Sequence, residues 1–123
     1  MLPACEHFGL GFLPFFPLAS GLLSGKYRRG APPPNDSRLA AWGARGAQAL
    51  NDRNFDKVEA LTAWAEARGH TVLELAFAWL LGQPVVASVI AGATTPEQIR
   101  ANAATADWTL TPDEVAEVTK LVG

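Results

Sequence analysis

The sequence contains few of the residues that most often perform catalysis, and its charge is not clustered. Its 123 residues include one cysteine, one tyrosine and two histidines, and the formal net charge is −2. A lone cysteine cannot form an internal disulfide, which fits a reducing compartment. The small negative charge argues against nucleic acid as the main partner, because phosphate-rich partners select clustered Lys and Arg. Arg28-Arg29 is the one basic doublet, and we expect it to lie in a solvated loop.

An uninterrupted hydrophobic run of membrane-spanning length is also missing. Residues 75–93 carry no charge, but Gly82-Gln83-Pro84 interrupts them. A helix would lose both hydrogen bonding and entropy at that point. Near the N-terminus no basic region precedes an apolar run, and Glu6 and His7 interrupt it, so the sequence predicts no signal peptide. We therefore expect no membrane contact and a cytoplasmic location.

Two short apolar segments predict the strands of a parallel sheet. Leu10–Phe16 and Val85–Ile90 are uncharged, and both are expected to be buried. Pro14 departs from this pattern, since proline lies in strands mainly at edges, ends and bulges. Between Pro17 and about Arg53 the chain is rich in Gly, Pro, Ala and Ser, which indicates a long loop that is either functional or disordered.

Helical periodicity predicts two helices between these segments. Apolar residues recur at helical spacing from Phe55 to Ala65, and Gly69 is a plausible C-terminal stop. Thr71-Val-Leu-Glu74 is a capping box, in which the Thr and Glu side chains each bind a backbone N–H of the other residue. It predicts a second, nearly all-apolar helix over residues 72–81.

Two further start signals predict the C-terminal helices. Thr95-Pro-Glu-Gln98 has Thr as N-cap, Pro at the first helical position and Gln reaching back. Thr111-Pro-Asp-Glu114 repeats the pattern, and the helix that follows should present Val115, Val118 and Leu121 on one face.

The order strand, long loop, helices, strand, loop, helix is typical of the α/β class with a parallel sheet. Two strands cannot form a stable sheet with both faces covered. The chain is therefore expected to be part of a larger fold, most simply the C-terminal side of a (β/α)8 barrel, which takes about 250 residues. On this interpretation residues 1–123 are one incomplete barrel domain.

Residues 85–102 combine a strand, a small-residue loop and a helix N-terminus, which together favour anion binding. Gly92 lets a ligand approach the backbone, and Thr94 offers a hydroxyl. Gln98 and Asn102 lie on one face of the helix and can both hydrogen-bond a ligand along it. The alternative is that Thr95-Pro-Glu-Gln98 only caps a helix, as Thr111-Pro-Asp-Glu114 does without a glycine loop before it.

The loop Pro14-Phe-Phe-Pro-Leu-Ala-Ser-Gly-Leu-Leu-Ser-Gly-Lys-Tyr27 resembles the aldo/keto reductase segment that wraps over the nicotinamide cofactor. That segment commonly has an aromatic, Ser, Pro-Leu-Ala, a variable residue and Gly, followed by Gly-Lys-Tyr. Further along, Gly92-Ala-Thr-Thr-Pro-Glu-Gln-Ile-Arg-Ala-Asn102 resembles the second cofactor segment of the same family. The resemblance covers the whole chain but only the C-terminal part of the family's barrel.

The resemblance implies that the chain binds NADP(H). Phe15 would stack on the nicotinamide ring, which needs only a flat aromatic face. Lys26 and Arg38 would be cations for the cofactor phosphates. The pyrophosphate would lie along Phe16, Pro17, Leu18, Ala19, Ser20 and Gly21; the 2′-phosphate ribose would contact Gly92, Thr94 and Gln98, and the adenine Asn102. Alternatively, Phe15 belongs to the core, and Lys26 and Arg38 are solvated loop charges.

Two positions depart from the family's usual pattern. Phe16 replaces a Ser, which removes a hydroxyl near the cofactor, and Ala101 replaces a Glu often found before the Asn, which removes an adenine contact. Each change would weaken cofactor binding without excluding it.

The resemblance assigns no catalytic residue and no metal ligand to this chain. The family reduces carbonyls by hydride transfer from NADPH, with a Tyr general acid tuned by a Lys, a His and an Asp from earlier strands. Tyr27 belongs to the Gly-Lys-Tyr loop instead, and His7 and His70 are expected to have surface or packing roles. We thus expect a cofactor-binding part of a reductase that does not reduce carbonyls alone. The alternatives are a non-enzymatic half-barrel that pairs with itself or a complementary fragment, or senses NADP, and a degraded reading frame without a stable fold.

Overall fold

A computed structural model describes all 123 residues, and helices dominate it. None of its helices is both long and apolar enough to span a bilayer. The helices are α1 Leu2–His7, α2 Arg38–Ala41, α3 Ala44–Ala49, α4 Asp52–Glu66, α5 Val72–Leu81, α6 Pro96–Ala104 and α7 Pro112–Val122, with 3-10 turns at Ala19–Ser24 and Thr105–Asp107.

Both predicted capping boxes are present. In α5 the Thr71 hydroxyl oxygen accepts a hydrogen bond from the Glu74 N–H at 3.2 Å, and the Glu74 carboxylate accepts one from the Thr71 N–H at 2.7 Å. Thr111 and Glu114 begin α7 in the same way, at 3.3 and 2.8 Å. These bonds satisfy backbone groups that a helix N-terminus otherwise leaves without partners.

The start of α6 differs from the prediction in one bond. The Thr95 hydroxyl caps the Gln98 N–H at 3.3 Å, as expected. The Gln98 side chain, however, accepts from the N–H of Thr94 at 2.8 Å rather than from the N-cap residue. Gln98 therefore holds the loop before the helix as well as its first turn.

The core lies between α4, α5 and α7. Its buried side chains come from all three helices and from the segment between α6 and α7: Leu61, Trp64, Ala65, Val72, Leu75, Ala78, Leu110 and Val118. In α7, Val115 and Val122 pack against this cluster with Val118, whereas Leu121 is 38% exposed. The prediction for Leu121 was wrong, because the residue four positions after Val118 faces the core more directly than the one three positions after it.

Neither predicted strand forms. Leu10–Phe16 and Val85–Ile90 run side by side in parallel, but they meet only at the isolated bridges Phe12–Val86 and Phe15–Ile90. Apart from Pro14, no residue of either segment is buried: the side chain of Phe15 is 69% exposed and that of Ile90 is 56% exposed. Two segments alone supply no neighbouring strands to pair with their edges or cover their faces. The two-stranded part of a barrel therefore stays a prediction.

Arg28 and Arg29 both lie in an exposed loop, as predicted, but Arg29 also forms ion pairs that the sequence did not predict. Its guanidinium forms ion pairs with Asp52 at 3.1 Å, Asp56 at 2.6 Å and Glu59 at 3.0 Å, and lies 5.6 Å from the centre of the Phe55 ring. Hydrogen bonding to Arg29 lowers the pKa of the Glu59 carboxyl. The network fastens the long loop to the outer face of α4, whereas the neighbouring Arg28 forms no ion pair.

The two capping boxes predict how stability depends on acidity. Hydrogen bonds from Thr71 and Thr111 hold the pKa of Glu74 and Glu114 below the usual value of 4.5. These carboxylates therefore stabilise the fold above that pH and lose this contribution as the pH falls through their lowered pKa values. The double variant Glu74→Gln, Glu114→Gln should lose less free energy of unfolding between about pH 5.5 and 3 than the parent protein.

Urea unfolding at a series of pH values measures this slope. Glu66→Gln is a suitable control, because Glu66 is exposed and belongs to neither box. If the free energy of unfolding falls equally steeply with acidity in the double variant and in the parent, the two carboxylates are not the source of the pH dependence.

Candidate functional site

Both candidate loops leave the paired segments at the same end. The last parallel bridge joins Phe15 to Ile90, and the Ile90 N–H donates to the Pro14 carbonyl at 3.0 Å. Because the two segments run in the same direction, the loop after Phe15 and the loop after Ile90 both begin at this edge. The carboxyl ends of parallel strands are where α/β proteins place their ligand sites. The pairing therefore brings together two loops that lie far apart in the sequence.

The first loop has an unusual backbone. Phe16, Ala19 and Ser20 have φ of 61°, 47° and 61°, and Gly21 follows with 96°. Residues with a Cβ seldom adopt this left-handed region, and such strain tends to occur at functional sites. Two hydrogen bonds hold the turn. The Ala19 N–H donates to the Phe16 carbonyl at 3.0 Å, and the Ser24 hydroxyl donates to the Gly21 carbonyl at 2.6 Å. Ser24 is not among the predicted site residues, although its position three residues after Gly21 suits a hydrogen bond to the Gly21 carbonyl.

Phe15 and Phe16 are displayed at the surface rather than packed in the core. They are 69% and 53% exposed, and their ring centres lie 4.8 Å apart with an angle of 50° between the planes. The alternative that Phe15 is a core residue is therefore contradicted. Arg38 returns to the same loop, with its guanidinium 5.8 Å from the centre of the Phe16 ring.

Lys26 and Arg38 are cations without a carboxylate partner. The ion pairs of the chain use Arg29, Arg68, His70 and Arg100 instead. The Lys26 side chain lies over the turn: a Cβ added at Gly21 would be 3.3 Å from its Cε and 3.5 Å from its Nζ. Two unpaired positive charges therefore border the Phe15–Gly21 turn, which makes the local potential attractive to an anion.

Arg38 is positioned by the close contact of two short helices. It begins α2, where the Ser37 hydroxyl accepts from the Ala40 N–H at 3.3 Å and Leu39 is only 1% exposed. Gly46 of α3 packs directly on the Leu39 backbone, so that a Cβ there would lie 2.7 Å from the Leu39 carbonyl carbon. No distinct sequence signal marks Gly46 among the eleven glycines.

Around the second loop the four predicted residues form two hydrogen-bonded pairs, each of which ties the loop to α6. Gln98 Oε1 accepts from the Thr94 N–H at 2.8 Å and from the Thr94 hydroxyl at 3.1 Å, and Asn102 Nδ2 donates to the Gly92 carbonyl at 3.5 Å. Gln98 and Asn102 thus share one face of α6, as their spacing predicts. The space beside Gly92 is open, since no atom lies within 4 Å of where its Cβ would be.

The predicted residues do not surround a single enclosed pocket. An apolar cavity of about 260 Å³ lies behind the first loop, against α5 and α7. Of the predicted site residues only Phe15, Phe16 and Pro17 line it, together with apolar side chains such as Trp79 and Val122. Lys26, Arg38 and the two hydrogen-bonded pairs at α6 lie outside it. The site is therefore an open surface with two polar parts, one at each loop.

The chain is similar to known proteins along nearly its whole length. The aldo/keto reductase family model matches residues 1–122. A probable voltage-gated potassium channel subunit beta of Arabidopsis thaliana is 42% identical over 103 residues, covering 82% of this chain and 31% of that protein. The L-glyceraldehyde 3-phosphate reductase of Escherichia coli strain K12 is 35% identical over 123 residues, covering 96% of this chain and 35% of the reductase. The chain thus spans about a third of the length of the curated relatives it matches.

The contact between α2 and α3 predicts a sensitive position. Gly46→Ala should destabilise the fold by about 1–3 kcal/mol, because the added methyl group must push the Leu39 backbone away. Gly11→Ala is the matched control, since its Cβ would meet only the Ala87 methyl group at an ordinary 3.6 Å. Thermal unfolding measures both, and equal melting temperatures for the two variants would contradict the close contact.

Proposed function

Since the chain belongs to the aldo/keto reductase family of oxidoreductases, we propose that residues 1–123 are the NADP(H)-binding, C-terminal part of the family's (β/α)8 barrel. The family uses a nicotinamide cofactor. The observation that carries the proposal is the parallel bridge between Phe15 and Ile90, from which both cofactor-type loops begin. Each loop contributes different chemistry to that edge.

The first loop suits the nicotinamide and the phosphates. Phe15 offers an exposed aromatic face for ring stacking. Residues 16–21 form a turn whose left-handed backbone brings Gly21 beside the Lys26 ammonium. Lys26 and Arg38 have no competing carboxylate, so both charges are available to phosphate oxygens. When bound, the cofactor supplies the hydride that this family transfers to a carbonyl group.

The second loop suits the adenosine end of the cofactor. Backbone N–H groups at the N-terminus of α6 suit the 2′-phosphate, and the Thr94 hydroxyl, which donates to Gln98, keeps acceptor capacity for a ribose hydroxyl. The open space at Gly92 allows close approach of the ribose. Gln98 uses its carbonyl oxygen to hold Thr94, which leaves its amide nitrogen available to a ligand. Asn102 lies further along the same face, in reach of the adenine. Together with Arg38, these groups support NADP over NAD.

The proposal assigns no catalytic residue to this stretch. The ring of Tyr27 packs in the buried cluster next to the first loop, and the residue belongs to the Gly-Lys-Tyr segment, so we assign it no part in the hydride transfer. His70 stacks on Trp108 at 3.8 Å and contacts the Glu74 carboxylate at 3.3 Å, and His7 packs edge-on against Phe8. These are packing roles, in line with the expectation from the sequence. We propose that carbonyl reduction requires residues in addition to these 123.

Binding of NADPH, followed by its fluorescence, tests the proposal. Lys26→Ala and Arg38→Ala should each weaken binding about tenfold, because each removes a charged partner of a phosphate. For Arg38→Ala the loss should be smaller with NADH, which lacks the 2′-phosphate, whereas for Lys26→Ala it should be similar with both cofactors, since both carry the pyrophosphate. Arg28→Ala removes the same charge from an exposed neighbour that makes no ion pair, and should leave the affinity unchanged.

Failure of the parent chain to bind either cofactor would overturn the proposal. An Arg28→Ala variant as weak as the other two would show that net charge, rather than the site, attracts the cofactor.

Exposed apolar side chains favour a second candidate role, association with a copy of this chain or with a complementary barrel fragment. Leu10, Leu13 and Phe15 are 57%, 52% and 69% exposed along one segment, and Ile90 is 56% exposed on the other. The backbone N–H and C=O groups at the outer edges of these segments have no neighbouring strand to bond with. Such an edge is prone to pair with another chain.

Light scattering on the purified chain tests this second role. We expect a mass above that of the monomer, and we expect Leu13→Lys to lower it, because a charge on an edge opposes strand pairing. Leu121→Lys is the control, since Leu121 is exposed on α7, remote in sequence from both segments. A monomer at all concentrations would contradict the association.

A further inference from the structure

Tyr27 has a buried hydroxyl group without a hydrogen-bond partner. The residue is 6% exposed, and its hydroxyl is one of two buried side-chain polar atoms that lack a partner, the other being Nε1 of Trp64. A buried hydroxyl without a partner costs free energy, and buried polar groups in folded proteins are nearly always satisfied. A phenylalanine would fill the same space without this cost, so the hydroxyl calls for an explanation.

The position of the ring indicates where the missing partner belongs. Leu22, Leu39, Phe55 and Val58 form the buried cluster that holds the ring. A Cβ added at Gly21 would lie 3.6 Å from Cε2 of Tyr27. Because Cε2 is bonded to the carbon that carries the hydroxyl, the hydroxyl lies at the Gly21 end of the ring.

The same place is bordered by a cation. The position of a Gly21 Cβ is 3.5 Å from the Lys26 ammonium nitrogen as well as 3.6 Å from the Tyr27 ring. Gly21 itself has φ of 96°, so the turn presents its backbone, without a side chain, to this space. An unpaired ammonium and an unpaired hydroxyl donor thus meet at one glycine, a combination that suits an oxyanion.

We propose that the Tyr27 hydroxyl is a further ligand-binding group of this site, which donates a hydrogen bond to a phosphate held at Gly21 by Lys26. The proposal rests on the proposed function for the identity of the ligand, the pyrophosphate of a nicotinamide cofactor. Lys26 is exposed and has no ion pair, so its side chain is free to move outward with the anion and uncover the hydroxyl. Tyr27 then gains the acceptor that it lacks in the free chain.

Tyr27→Phe separates this role from a structural one. The variant should melt at the same temperature as the parent or higher, because it loses no hydrogen bond and removes the unsatisfied group. It should bind NADPH and NADH about tenfold more weakly, since both carry the pyrophosphate. The double variant Lys26→Ala, Tyr27→Phe should lose less binding free energy than the sum of the two single losses, because both groups contact one anion.

Inorganic pyrophosphate alone distinguishes failure of this proposal from failure of the proposed function. It should raise the melting temperature of the parent chain and raise that of Tyr27→Phe less. If neither cofactor binds but pyrophosphate still stabilises the parent more than the variant, the cofactor assignment fails and the Tyr27 site stands. A lower melting temperature with unchanged ligand affinity, or equal stabilisation of both proteins by pyrophosphate, would overturn the role of Tyr27.

Discussion

The parallel contact between Phe15 and Ile90 is the constraint on which the site depends. Its hydrogen bond, from the Ile90 N–H to the Pro14 carbonyl at 3.0 Å, is one of only three that join the two segments. The first loop, with the exposed ring of Phe15, and the second loop both begin at this pairing. Because so few hydrogen bonds join the two segments and no neighbouring strand pairs with either, few interactions fix the position of one loop relative to the other.

The two cations beside the first loop differ in role from the arginines that hold the fold together. Arg29 holds the long loop on α4 through three carboxylates, and Arg68 lies 3.5 Å from the Trp64 ring and pairs with Glu114 and Glu117. Lys26 and Arg38 have no such partners and both border the first loop. A site for a phosphate ligand needs this division, because a cation already neutralised by a carboxylate attracts an anion weakly.

Local signals in the sequence were reliable where the chemistry is local. The Thr71–Glu74 and Thr111–Glu114 boxes form as predicted, since all their partners lie within four consecutive residues. Long-range features escaped prediction: the carboxylate partners of Arg29 follow it by more than twenty residues, and nothing near Gly46 in the sequence reveals its contact with Leu39. The buried strands failed for a related reason, because burial of a strand requires neighbours on both faces and two segments do not supply them.

The sequence by itself determined the capped starts of α5, α6 and α7 and the family to which both loops belong, whereas α2 and α3 lie in a stretch that it predicted to be a loop. The capped starts follow from short motifs whose side chains act on their own backbone. Only the tertiary structure decided that Phe15 is exposed, that Lys26 and Arg38 lack ion pairs, and that the Tyr27 hydroxyl is buried beside Gly21. Exposure and pairing depend on what the rest of the chain places nearby, and that is a property of packing rather than of any local motif.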